Sequence, residues 1–192
     1  NEMLEKQRAL AHSSTSMIRE RNNTLLSWMA LLEKDLPKAE FRADLSVSVA
    51  EQTGMPLSAP VSLLGQAIAK HLAGKDDEAQ KSLEKSFSIC HRLESRQIEF
   101  ACYLAQAEFA LNDGNDALLY SALKKAMAIG KKRQYINTWF WRSDVMTRLC
   151  CKALEAGIEV SYAQDLIRRR QLVPDKPPLE LEQWPLAFKI YS

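Results

Sequence analysis

The chain has 192 residues, of which 46% are hydrophobic and 26% are charged, and its formal net charge is +2. These values are typical of a globular protein with a core of its own. The net charge favours neither binding to nucleic acid nor its absence, and no apolar run reaches the ~18 residues that suggest a membrane span. The sequence begins at Asn1 without a recognisable signal peptide, so we expect a segment cut from a longer cytoplasmic protein.

The first 57 residues contain three stretches bounded by residues that begin or end helices. We predict helices at residues 2–21, 24–34 and 39–52. Asn22 and Asn23 are of the capping type and predict a break between the first two helices. Pro37 predicts the end of the second helix, and Gly54 with Pro56 predicts the end of the third.

Residues 58–172 contain an internal repeat with a period of about 40. From Leu64 onward, nine of 37 residues are identical to the residue 40 positions later. Gly74 and Gly114 each follow an apolar stripe at helical spacing, so each predicts a helix end and a turn into the next helix. A looser match with an offset of 43 includes Gly157 and predicts a last pair of helices at 138–156 and 161–171.

These patterns predict an all-α fold in which antiparallel helix pairs, about nine helices in total, stack into a tetratricopeptide-like right-handed superhelix. Residues 1–57 supply its N-terminal helices and residues 58–172 its repeats. Residues 173–192 begin with a proline-rich linker and end with an alternating pattern at Leu186, Phe188 and Ile190. We interpret this extended tail as the start of a following, truncated domain.

Aromatic residues are concentrated just before the last helix pair. Exposed aromatics in a groove between repeats suit the binding of a protein or a small effector. We predict such a groove between residues 97–109 and 138–149. Its candidate contacts are Phe109, Tyr135, Trp139, Trp141 and Arg142. The competing interpretation packs one or two of these rings between repeats.

Two basic clusters lie near predicted helix ends. Their candidate contacts with phosphate groups are Lys131, Lys132, Arg133, Arg168, Arg169 and Arg170. Cations at helix C-termini also favour the helix dipole and solvent, which is the alternative role for both clusters. No aromatic-interleaved nucleic-acid motif accompanies them.

No catalytic, cofactor-binding or metal-binding set is recognisable. The four cysteines form no CxxC pair, so we predict reduced thiols, and the three histidines are scattered. Gly74-Lys75 lacks the glycine and the hydroxyl residue that a phosphate-binding loop needs, because positions 69 and 76 hold alanine and aspartate. No nucleophile motif is present either, so an all-helical enzyme is the least supported class.

The last third contains a second kind of signal in the run from residue 139 to residue 190. The residues that carry it are Trp141, Val145, Met146, Leu149, Cys150, Ala153, Leu154, Gly157, Ile158, Tyr162, Leu166, Ile167, Arg168, Arg170, Leu172, Pro174, Trp184, Pro185 and Ile190. With them the segment resembles the end of the repeat region in large MalT-like bacterial transcriptional regulators. Where that family often reads WPWP, this chain has Trp184-Pro185-Leu186-Ala187.

The resemblance implies an upstream nucleotide-binding module of the signal-transduction ATPase type and a following winged-helix DNA-binding domain of the SARP/OmpR type. Neither ATPase motifs nor a recognition helix are part of this sequence. We therefore predict a non-catalytic segment that binds a partner protein, a second copy or a small-molecule inducer, and that couples this signal to the adjacent DNA-binding domain. The alternative is a helical repeat that binds nucleic acid through its basic clusters.

Overall fold

The computed structural model describes residues 2–53 and 58–173, with side chains described for residues 15–52 and 58–173. The chain divides into two compact units, residues 1–95 and 96–192. The predicted domain boundary at residue 57 lies inside the first unit. Every regular element in the described residues is an α-helix, so the predicted all-α class is confirmed.

Unit 1 contains α1 (Glu2–Leu32), α2 (Leu36–Thr53), α3 (Ala59–Leu72) and α4 (Asp76–Arg92). The helices pack as two antiparallel pairs, α1 with α2 and α3 with α4, and α3 also contacts both helices of the first pair. Each pair is held by a buried serine that donates a hydrogen bond across it. Ser27 Oγ donates to the carbonyl oxygen of Ala39 at 2.9 Å, and Ser86 Oγ donates to that of Pro60 at 2.7 Å.

Unit 2 contains α5 (Arg96–Asn112), α6 (Asp116–Arg133), α7 (Ser143–Glu155) and α8 (Val160–Arg170). Here α5 packs on α6 and α7 on α8, while α7 also contacts both α5 and α6. In each unit, therefore, the first helix of the later pair lies against both helices of the earlier pair. This is the nearest-neighbour packing of a helical repeat.

Most helices end in the same left-handed turn. A residue one or two positions after the helix has a φ between +48° and +74°, and the N–H of the residue that follows it donates to the carbonyl five positions earlier, which is the Schellman arrangement. The residues at this position are Lys34, Gly74, Glu94, Gly114, Gln134, Gly157 and Gln171. The predicted turns at Gly74, Gly114 and Gly157 are thus confirmed, and Lys34 marks the same turn in the first pair.

The predicted break at Asn22 and Asn23 is wrong, because α1 continues through both residues. The Asn23 side chain donates to the carbonyl of Arg19 within the helix and accepts from Arg42 of α2, so it caps nothing. Merging these two helices leaves eight in the described residues instead of about nine. Pro37, predicted as a helix end, instead lies in the first turn of α2, where its missing N–H has no cost.

The predicted helix start at Thr138 is also wrong, since α7 begins at Ser143 and residues 134–142 form a loop. This nine-residue loop is six residues longer than the connection between α4 and α5, whereas α6 is one residue longer than α4 and α7 is four residues shorter than α5. Together these differences give the offset of 43 in place of 40. The proline-rich linker after Val173, the terminal strand and the break at Gly54 and Pro56 lie outside the described residues. The right-handed superhelix stays a prediction.

Candidate functional site

The loop of residues 134–142, between α6 and α7, contains most of the predicted aromatic contacts. Tyr135 and Trp139 are half-buried, whereas Phe140 and Trp141 are buried. Phe140 has a φ of +56°, an uncommon conformation for an aromatic residue, and it prevents the loop from continuing as a helix. The loop therefore combines a partly exposed aromatic surface with a buried anchor.

A buried ion pair joins this loop to α5. Arg142 Nη2 donates to Glu108 Oε2, and the two residues are 8% and 2% exposed. Two further atoms of the pair, Arg142 Nε and Glu108 Oε1, are buried without a hydrogen-bond partner among the described residues. Removing either side chain would leave an uncompensated charge in the interior, so the pair fixes the end of the loop.

The start of the loop is joined to α8 through two tyrosines. The Tyr162 hydroxyl donates to the backbone oxygen of Tyr135, and the Tyr135 ring lies 5.6 Å from the ring of Phe100. Burial raises the pKa of Tyr162 above its ordinary value, so the hydroxyl keeps its proton and remains a donor. Gly130 makes room for this contact, because a Cβ there would lie 2.6 Å from Tyr162 Cζ and 2.8 Å from Phe100 Cε2.

The C-terminal end of α8 contacts the same loop. The guanidinium of Arg170 lies 4.6 Å from the centre of the Trp141 ring, in cation–π geometry. Trp141 is only 6% exposed, so one face of its ring is covered by the arginine side chain and the remainder by the core. The loop is thus tied to α8 at both of its ends.

The predicted groove residues separate into two groups. Phe109, Trp141 and Arg142 are buried, so their side chains act in packing and in the ion pair. Tyr135 and Trp139 retain exposed surface and are the two predicted groove residues that a ligand could reach. The competing interpretation, in which some of the rings pack inside the protein, applies to Trp141 and Phe109.

Four of the six candidate basic residues have partners inside the chain. Lys131 Nζ lies 2.6 Å from Glu159 Oε2, and Asp165 accepts from Arg168 at 2.5 Å and pairs with Arg169 at 2.8 Å. The hydrogen bond from Arg168 lowers the pKa of Asp165, which stays charged. The fourth residue is Arg170, which stacks on the Trp141 ring. Lys132 and Arg133 are exposed at the end of α6, and the nucleic-acid alternative rests on these two.

Unit 1 contains a buried polar cluster that sequence reasoning missed. Glu20 is 3% exposed, and its Oε1 accepts from Ser62 at 2.6 Å, from Thr24 at 2.9 Å and from Ser46 at 3.3 Å. These hydroxyls come from α1, α2 and α3, so the carboxyl group lies where three helices meet. The sequence signal that could have revealed this cluster is Ser46, because a serine recurs 40 residues later as the equally buried Ser86.

Two of the cysteines are poor nucleophiles, and the cysteines and histidines whose side chains are described belong to no metal-binding cluster. All four cysteines are free thiols, as predicted, and burial raises the pKa of both Cys150 and Cys151 to about 12. They are therefore protonated and poorly nucleophilic near neutral pH. Within the residues whose side chains are described, no group of three His, Cys, Asp or Glu side chains could hold a metal ion. None of the described helices combines the length and apolarity needed to cross a membrane.

Comparison with protein-family models, with curated proteins and with solved structures found no match to this chain.

Proposed function

We propose that this chain is a non-catalytic interaction and sensing segment of a bacterial transcriptional regulator. In this proposal, binding of a protein, of a second copy or of a small inducer is transmitted to a DNA-binding domain that follows α8. Two independent features support it: the packed helix pairs, an architecture that presents surfaces for binding, and the resemblance of residues 139–190 to the end of the repeat region in MalT-like regulators.

The observation that carries the proposal is the connection between the exposed aromatic surface and α8. A ligand that contacts Trp139 or Tyr135 acts on a loop whose ends are held by Tyr162 and Arg170 of α8. A movement of the loop is therefore transmitted to α8. This helix precedes the segment where a following domain would be attached. A two-state arrangement of this loop would suffice to couple the two sites.

The first test is a fusion of the whole chain to a DNA-binding domain that represses its operator only as a dimer. We expect repression of a reporter by the fusion and none by the DNA-binding domain alone. The same fusion carrying the chain unfolded by Leu64→Asp, a substitution of a fully buried residue, is the matched control. A fusion that represses no better than this control would contradict association as a function of the chain.

The second test addresses sensing, in the full regulator acting on its own promoter. We expect Trp139→Ala to reduce the response to the natural inducing condition, because it removes the exposed ring. Ile136→Ala is the control, since Ile136 is exposed in the same loop and lies three residues away. Equal responses of the two variants would argue against a role for the aromatic surface.

A further inference from the structure

Helix α1 exposes an apolar stripe on the side opposite to its buried face. Its members are Ile18 (69% exposed), Leu25 (44%), Met29 (53%) and Leu32 (56%). The buried residues Glu20, Thr24 and Ser27 lie on the other side and contact α2 and α3. That face is already covered by α2 and α3, so the exposed apolar stripe gives α1 a second face that suits a partner.

The spacing of the stripe is that of a coiled-coil seam. Residues 18, 22, 25, 29 and 32 follow each other at alternating intervals of four and three, and only the second of them, Asn22, is polar. This is the a/d pattern by which two helices pair along their length with knobs-into-holes packing. It predicts a single partner helix lying along α1.

The corresponding face of α3 shows why this stripe differs from an ordinary contact between repeats. Forty residues after Leu25 and Met29, α3 has Gly65 and Ala69, both buried. Small side chains allow α3 to lie closely against the preceding helix pair. The large residues at the equivalent positions of α1 instead suit the wider spacing of a side-chain seam between two helices.

The charges beside the stripe favour a second copy of the chain in antiparallel orientation. In an antiparallel pairing centred at the level of Ser27, Leu25 of one copy packs against Met29 of the other. Arg19 then lies opposite Glu33 of the second copy, and the two-fold axis repeats this pair. A parallel pairing would place Arg21 opposite Leu26 and Trp28 opposite Glu33, so no opposite charges would meet.

We infer that two copies of this chain associate through the last part of α1, in an antiparallel two-fold pairing in which Leu25 packs against Met29 and Leu32 against Asn22 of the other copy. Such an isologous interface closes on itself and yields a dimer. The inference rests on the proposed function and specifies its partner as a second copy. Residues 19 and 33 set the register, while Glu33 keeps its ion pair with Lys38 of its own chain, in which both side chains are about half exposed.

The experiment measures the mass of the full 192-residue chain by sedimentation over a range of concentrations. The wild type is expected to be a dimer, and Met29→Glu is expected to weaken dimerisation by about a hundredfold or more, because it buries a charge in the seam. Phe41→Glu is the matched control, since Phe41 is 58% exposed on α2 and outside the stripe, and it is expected to leave the mass unchanged. Circular dichroism checks that each variant is folded.

The register is tested by exchanging charges. Arg19→Glu alone and Glu33→Arg alone are each expected to weaken the dimer by about threefold to tenfold, and the double exchange is expected to restore it. A monomeric wild type, a dimer unaffected by Met29→Glu, or a double exchange that fails to restore association would each overturn the inference. If the stripe instead binds a helix pair from another protein, the wild-type chain alone would be a monomer in sedimentation.

The two proposals fail in different ways. If the wild-type chain is a dimer that Met29→Glu disrupts, but Trp139→Ala and Ile136→Ala leave the response of the full regulator equally unchanged, the proposed sensing role fails and the α1 interface stands. If the fusion represses equally well with Met29→Glu, the α1 interface fails and association through another surface remains.

Discussion

The two units each bury a carboxyl group, and they satisfy it in different ways. In unit 1, Glu20 receives hydrogen bonds from three hydroxyl groups, and no described cationic side chain lies within ion-pair distance of it. In unit 2, Glu108 is paired with the buried cation of Arg142. Neutral donors lose little when the carboxyl is replaced by an isosteric amide, whereas a buried cation loses its counter-charge.

The largest effect is expected from breaking the ion pair of unit 2. Arg142→Met leaves Glu108 buried without its partner and should lower the free energy of unfolding by about 3–5 kcal/mol, as measured by urea denaturation. The double variant Glu108→Leu with Arg142→Met removes both charges and should recover most of this loss. A double variant no more stable than the single one would show that the pair is needed for reasons other than its charge.

Gly130 is a second difference between the units, because its counterpart in unit 1, 40 residues earlier, is the buried Cys90. Gly130→Ala should lower the free energy of unfolding by about 1–3 kcal/mol, since the added methyl group overlaps Tyr162 and Phe100. Combining it with Tyr162→Phe should cost less than the sum of the two single variants, because the hydroxyl is the nearest atom. If the losses of unfolding free energy of the two variants simply add, the overlap of the added methyl group with the Tyr162 hydroxyl is not the cause of the destabilisation.

For the buried carboxyl group of unit 1, removing the charge is expected to change the free energy of unfolding only slightly. Glu20→Gln keeps an oxygen that Ser62, Ser46 and Thr24 can donate to, so we expect a loss of about 1 kcal/mol in the free energy of unfolding. Glu108→Gln in unit 2, the same chemical change, should cost several times more because it leaves a cation unpaired. Equal losses in urea denaturation would contradict the view that the two sites differ in kind.

The smallest effect concerns the turns within the first two pairs. Lys34 occupies the left-handed position that Gly74 occupies 40 residues later. Lys34→Gly should raise the free energy of unfolding by about 0.5–1 kcal/mol, and Gly74→Ala should lower it by about 1 kcal/mol. A Cβ at Gly74 meets no atom within 4 Å, so any loss measured there reports backbone strain alone.

Local signals in the sequence predicted the helices and most of their ends. Gly74, Gly114 and Gly157 lie where the backbone requires a positive φ, and each marked its turn correctly. Lys34 takes the same conformation without the glycine that announces it, so the first pair was not recognised as a member of the repeat. Its trace in the sequence is weak, since few residues of α1 and α2 recur 40 positions later.

The errors come from long-range contacts that no local pattern records. Arg42 satisfies Asn23 from 19 residues away, so an asparagine of the capping type stays inside α1. Arg142 pairs with Glu108 across 34 residues, and Phe140 takes a positive φ in the loop where a helix had been predicted. The predicted groove placed Trp141 at the surface, although Trp141 is buried and Arg170 of α8 lies over its ring.

The loop of residues 134–142 has one more consequence, for how this molecule can change over generations. Inside a helix pair, a side chain has to fit the spacing of the helix turns and the packing of the neighbouring helix. Most substitutions there therefore affect the packing of the pair. Trp139 lies outside every described helix and keeps exposed surface, so a substitution there does not have to fit the spacing of the helix turns. Substitutions can therefore accumulate on the exposed surface of this connection while the helix pairs keep their packing.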